Sequence, residues 1–253
     1  EQAGVPKAPE SLGWLVGYIR SLARPMGKIY VDFGEPVVLP EPPSPDDRLA
    51  LSKIAFQVAV EANRVTPITY PAVISMALLG VYPRAQTESE VAETVADIVS
   101  WARNSELRMS PDFDRQQQEG MGTLLDLMIG EGIITRFTGG PTTVYGIEPA
   151  NVGVASYYRN TIVHFFINKA IIELALIAIA EYGDHDLDQQ VEALFWAEVL
   201  ELRDLFKFEF FYPPTETFQA EISGELDRID ASWRQELATG VKGARRLLAM
   251  MTP

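Results

Sequence analysis

Lys28-Ile29-Tyr30-Val31-Asp32-Phe33-Gly34-Glu35-Pro36-Val37-Val38-Leu39-Pro40-Glu41-Pro42-Pro43-Ser44-Pro45 is the stretch on which the architecture turns. Its first six residues place Ile29, Val31 and Phe33 on one face and Lys28, Tyr30 and Asp32 on the other, the period of a half-buried strand. Gly34 and Pro36 stop that strand, and the proline-rich run from Leu39 to Pro45 is an extended linker. Upstream, Trp14, Leu15, Tyr18, Ile19 and Leu22 fall on one helical face, so Ser11 to Ala23 is expected to be an amphipathic helix. One helix and one strand are half of an α/β unit. A lone strand cannot satisfy its own backbone, so this one is expected to complete a sheet supplied from elsewhere. Residues 1–39 are therefore expected to close one domain and 40–253 to form a second.

The second domain reads as mainly α. Ser44 is expected to cap a helix with Pro45 at its first position and Asp47 in its first turn. Its apolar stripe is Leu51, Ile54, Ala55, Val58 and Ala62, and it ends before Pro67. Pro71 to Leu79, closed by Gly80, is a second helix, and the two are expected to start a helical core. Thr87-Glu88-Ser89-Glu90 is a capping box opening a helix to about Ala102. Thr123 to Ile129 is another helix. Ile133 to Phe137 and Thr142 to Gly146 form a hairpin around Gly139 and Gly140. Helix, helix and hairpin make residues 87–146 winged-helix-like. That span holds four arginines, no lysine and ten acidic residues, a net of -6, which opposes use on nucleic acid. Ser156 to Ala180 is the most apolar stretch, but Arg159, Asn160, His164, Asn168, Lys169 and Glu173 interrupt it. A membrane span needs about 20 uninterrupted apolar residues, so two buried helices or one kinked helix are expected. Asp188 to about Phe206 is the next helix, an aromatic run from Phe206 to Tyr212 stops at Pro213-Pro214, and Glu216 to Met250 is helical.

Composition sets outer limits. The 253 residues include 47% hydrophobic ones, enough for a real core. Thirty-five acidic against 21 basic residues leave a net charge of -14, which repels phosphate backbones. Zero cysteines exclude disulfides, thiol nucleophiles and thiolate metal sites. The chain opens on Glu1-Gln2, without the basic and apolar regions of a signal peptide, and is expected to be a piece of a longer protein.

Spacing yields no catalytic constellation and no metal site. His164, beside Phe165 and Phe166, reads as a hydrogen-bonded core histidine rather than a catalytic one. Asp184-His185-Asp186-Leu187-Asp188 superficially resembles the start of a calcium loop. Gln189 and Phe195 stand where such a loop needs Gly and Glu. No nucleophile elbow surrounds Ser156, and Gly120-Met121-Gly122 lacks a third glycine. Two polar clusters remain, Asn63-Arg64-Val65-Thr66-Pro67 and Tyr157-Tyr158-Arg159-Asn160. A guanidinium near a core must be paired, by a carboxylate, a helix carbonyl or a substrate phosphate.

These segments carry a resemblance. Gly27-Lys28-Ile29-Tyr30-Val31-Asp32-Phe33-Gly34-Glu35-Pro36-Val37 resembles the strand that ends the acyltransferase domain in the glycerol-3-phosphate acyltransferase family, of the large bacterial and mitochondrial type. Asn63-Arg64-Val65-Thr66-Pro67-Ile68-Thr69, Ala77-Leu78-Leu79-Gly80, Ser156 to His164 and Phe208-Glu209-Phe210-Phe211 are similar, in the same order, to the region that follows it there and in the dihydroxyacetone-phosphate relatives. The resemblance implies acyl transfer from acyl-CoA or acyl-carrier protein to the 1-hydroxyl of sn-glycerol 3-phosphate, giving lysophosphatidic acid for phospholipid synthesis. It further implies no resident cofactor and a peripheral place on the cytoplasmic face of the inner or plasma membrane. The family's general base is the His of a His-x4-Asp motif. Here Lys169 follows His164 by five and Gln190 follows His185 by five, so neither is that motif. The phosphate-associated Phe-x-Glu-Gly-x-Arg-Ser segment also has no counterpart. The chain is thus expected to start downstream of the chemistry and to hold no catalytic residue. Residues 1–39 would end the acyltransferase domain, and 40–253 would pack on it and support it, with Arg64 and Arg159 as candidate substrate contacts. The rival expectation is a non-catalytic interaction or scaffold domain.

Overall fold

The computed structural model describes residues 13, 15, 19, 30–39, 42, 47–181 and 191–251. The chain divides into two units, Glu1–Asp32 and Phe33–Pro253. In the first, Gly13, Leu15 and Ile19 are helical, as the spacing of apolar residues there predicts. The strand expected over Lys28 to Phe33 is not formed where residues are described: 30–39 belong to no strand. A strand is defined by a ladder to a neighbour, and none is formed with 30–39 among the described residues. Lys28 and Ile29 lie outside the described residues. Phe33, the first residue of the second unit, is left 89% exposed.

The second unit is mainly α-helical, with one small sheet. Helix α1, Ala50–Val65, starts later than Ser44 and Pro45 suggest, and those two lie outside the described residues. Asp47 stands ahead of the helix and secures its entry from outside, its Oδ1 accepting from the Leu49 N–H at 2.9 Å and its Oδ2 from Lys53 Nζ at 2.9 Å. No residue of α1 is buried, so the expectation that its apolar stripe starts the core is overturned. The core starts instead at Ile68 and helix α2, Tyr70–Gly80. Pro71 sits in the first turn of α2, where a missing N–H costs nothing.

From α2 the chain runs through β1 (Gln86–Thr87), α3 (Glu88–Asn104), α4 (Phe113–Glu119), α5 (Met121–Gly130), β2 (Thr135–Phe137) and β3 (Val144–Gly146). The antiparallel sheet has the order β1-β3-β2, with Arg136 opposite Tyr145 and Gln86 opposite Tyr145 on the other side. This is the winged-helix outline. The Thr87 hydroxyl accepts from the Glu90 N–H at 3.3 Å while a Glu90 carboxylate oxygen accepts from the Thr87 N–H at 2.7 Å, closing the capping box. A Cβ at Gly146 would crowd the Ala85 Cβ at 3.3 Å and the Phe137 ring at 3.4 Å, so a side chain there would have to push a neighbour aside. Three of the four arginines of 87–146 are engaged by carboxylates of the same module: Arg136 by Asp126, Arg103 by Asp114, and Arg115 by Asp112 and Glu119.

The apolar run after Asn151 is indeed two helices, α6 (Val152–Asn160) and α7 (Ile167–Glu181), joined by a 3-10 turn at Val163–Phe165. They serve different cores. Ala155 and Ile162 close the first core against α2, α3 and α5. Ile171, Ile172, Ala175, Leu176 and Ile179 of α7 open a second, completed by α8 (Val191–Phe206), α9 (Thr215–Ile229), α10 (Trp233–Ala238) and α11 (Val241–Met251). The start expected for α8 at Asp188 lies outside the described residues. Among the described residues no helix is long and apolar enough to cross a membrane.

Candidate functional site

The first polar cluster singled out in the sequence touches His164, which follows the second cluster by four residues. His164 Nε2 lies 3.0 Å from the Asn63 carbonyl oxygen, 101 residues away in sequence, at the end of α1. A carbonyl can only accept, so this bond fixes the ring as the Nε2–H tautomer. Phe165 packs on the imidazole, with ring centroids 4.0 Å apart. Burial pushes the His164 pKa below its ordinary value, the Asn63 contact opposing it more weakly. His164 is therefore a neutral, structural link, the bland reading of the sequence.

A pH dependence follows from this environment. With its folded pKa below the unfolded 6.5, His164 binds protons more readily in the unfolded chain, so stability falls as pH drops from about 6.5 through the folded value. Scanning Tm from pH 7.5 to 5 is expected to show wild type losing more than His164→Asn over that window. Parallel pH profiles would refute it.

Arg64 and Arg159 have contrasting surroundings. Arg64 Nε and Nη2 both donate to Glu61 Oε2, at 3.0 and 2.8 Å, and the same oxygen accepts from the Glu35 N–H at 3.1 Å. The Arg64 hydrogen bonds above all, with the Glu35 N–H adding a smaller share, lower the Glu61 carboxyl pKa. One oxygen thus ties residues 34–38 to α1 over a cavity of about 310 Å³ lined by Val37, Val38, Phe56 and Val60. Glu61 was not named from the sequence, although it stands three residues before Arg64, within reach on one helix face. Arg159, at the end of α6, is half-buried and donates through Nε and Nη2 only to its neighbour's side chain, Asn160 Oδ1, at 3.0 and 2.8 Å. Among the described residues no carboxylate pairs with it. The structure links Asn63 to His164, and the guanidinium groups of Arg64 and Arg159 share no hydrogen-bond partner among the described residues.

A second polar feature went unseen in the sequence. Trp101 Nε1–H donates to Glu225 Oε1 at 3.1 Å across 124 residues, Arg228 pairs with the same carboxylate, and the Trp101 ring lies 4.5 Å from Phe166. This is the seam between the two cores. Cavities of about 370 and 460 Å³ open beside it, both lined by Trp101. The aromatic run near 208 contributes elsewhere: Phe211 meets Phe56 of α1 edge-on at 5.0 Å, and burial pushes the Tyr212 phenol up to about 12, so it stays protonated. Among the described residues no group of acidic, histidine or cysteine side chains is arranged to hold a metal ion, and His185 lies outside them.

These helices and the small sheet define a two-core helical module that contains a winged-helix-like element. Residues 1–250 match the family described as "Glycerol-3-phosphate acyltransferase C-terminal region", and the chain belongs to that family. The proteins named "Putative acyltransferase plsB1" of Mycobacterium bovis and of Mycobacterium tuberculosis (strains CDC 1551 / Oshkosh and H37Rv) are 32% identical to it over 232 residues, covering 89% of this chain and 37% of each relative. The chain thus spans little more than a third of the length of these relatives. No solved structure matches it.

Proposed function

We propose that this chain is the supporting C-terminal part of a glycerol-3-phosphate 1-O-acyltransferase working peripherally at the cytoplasmic face of a membrane. An acyl group passes from acyl-CoA or acyl-carrier protein to sn-glycerol 3-phosphate. The 1-hydroxyl oxygen attacks the thioester carbonyl, its proton passes to a base, and the thiol departs, leaving lysophosphatidic acid. The base belongs to an upstream acyltransferase domain, because neither histidine here is followed by Asp at the fifth position. The observation that carries this reading is the family match over residues 1–250.

Arg159 has the better claim to a substrate-facing role. It is half-buried without a carboxylate partner among the described residues, as a phosphate-binding guanidinium must be before substrate arrives. Arg64 already spends both donors on Glu61 and is assigned the weaker, longer-range part. In the full-length enzyme, Arg159→Ala is expected to raise KM for glycerol 3-phosphate about tenfold or more, from the loss of a charged hydrogen bond worth roughly 1.5–3 kcal/mol. KM for the acyl donor and Tm should hold. An unchanged KM would remove Arg159 from the site, and failure to acylate glycerol 3-phosphate at all would remove the proposed reaction. Running the assay with dihydroxyacetone phosphate separates the related acceptor.

A further inference from the structure

We infer that the ridge Leu51, Ala55, Val58 and Ala62 on α1 is the docking surface for the acyltransferase domain that precedes this region in longer proteins of the family. These residues follow one another at spacings of four, three and four, a single face of a helix turning 100° per residue. All four are exposed, Leu51 at 76% and Val58 at 52%. The body holds α1 by other residues, through Phe56 against Phe211, the Asn63 carbonyl on His164, and Glu61 on the Glu35 N–H. The ridge is therefore an organised apolar face left over after the helix is seated.

Three observations choose the occupant. Among the described residues α1 is the first helix of the Phe33–Pro253 unit, and so the one nearest in sequence to whatever precedes that unit. The relatives carry nearly two thirds of their length outside the matched segment. Alanines at 55 and 62 make a narrow ridge suited to close approach of another protein element, whereas an interfacial membrane helix presents bulky residues flanked by Lys and Arg. A net charge of -14 further disfavours an anionic bilayer.

The inference rests on the proposed two-part enzyme, and its test separates the two. In the full-length protein, Leu51→photo-leucine is irradiated and cross-linked peptides are identified by mass spectrometry. The expected product joins position 51 to a peptide preceding this region in the same molecule. Val58→Asp is expected to speed amide exchange across residues 50–65 about tenfold or more, while Leu205→Asp, at a site 68% exposed on α8, leaves that segment unchanged. A cross-link to a second copy, a cross-link to added phosphatidylglycerol vesicles, or unchanged exchange in Val58→Asp overturns the docking. Activity is measured on the same preparation. Absent acylation with an intact upstream cross-link sinks the reaction and leaves the docking standing.

Discussion

Replacing Gly243 with alanine is expected to cost more than about 3 kcal/mol and to lower Tm by roughly 6–12 °C. Gly243 is buried in the first turn of α11, where a Cβ would fall inside the carbonyl group of Glu236 and crowd Thr239 Oγ1. A backbone carbonyl has no rotamer by which to yield. Arg246 also ties α11 to the end of α10 and its cap, Nε donating to Glu236 Oε2 at 2.6 Å and Nη2 to Thr239 Oγ1 at 2.9 Å, so a shift that relieves the clash strains these bonds. Gly153, at an exposed position of α6 with nothing within 4 Å of its missing Cβ, is the contrast. There alanine should be neutral or stabilising by up to about 1 kcal/mol, since it removes backbone freedom from the unfolded chain. Thermal melts of both variants decide the matter, and equal Tm values would refute the steric account.

Trp233→Ala is expected to destabilise the second core by about 3–5 kcal/mol, the range for truncating a fully buried large aromatic. The ring stands among Phe195 and Trp196, with centroids 6.3 and 6.2 Å away, and the Arg234 guanidinium covers one face at 4.1 Å. Its Nε1–H donates to Asp227 Oδ1 at 2.8 Å. Trp233→Phe separates volume from polarity. It keeps most of the apolar bulk and loses that one bond, so about 1–2 kcal/mol is expected, Asp227 being exposed enough to rehydrate. Urea unfolding would show the two losses as different midpoints, and a Phe variant as unstable as the Ala variant would mean that the hydrogen bond dominates.

Legibility in the sequence followed the range of the interaction. The Thr87–Glu90 box, the hairpin around Gly139-Gly140 and Pro71 at the start of α2 are set within a few residues, and all three stand as expected. That His164 is hydrogen-bonded was expected, but it is only partly buried and belongs to neither core, and its acceptor, the Asn63 carbonyl, had no local signal. β1 escaped notice because two residues cannot display alternation. The apolar run from Ser156 to Ala180 reads as one block, yet α6 and α7 join different cores, a division made by packing partners outside the run. The stripe on α1 shows most clearly what periodicity means: it announces that a helix has an apolar face, and is silent on which neighbour covers it. In the site, Glu61 lay within helical reach of Arg64. Trp101 with Glu225 had no local signal at all.

The position of Trp101 gives the molecule a built-in optical probe. Its indole rests on Phe166 and Glu225 where the halves abut, whereas Trp196 and Trp233 belong wholly to the C-terminal half. Emission from these chromophores therefore samples separate places, and the order in which they shift to the red during denaturation reveals whether the halves part company before either one melts.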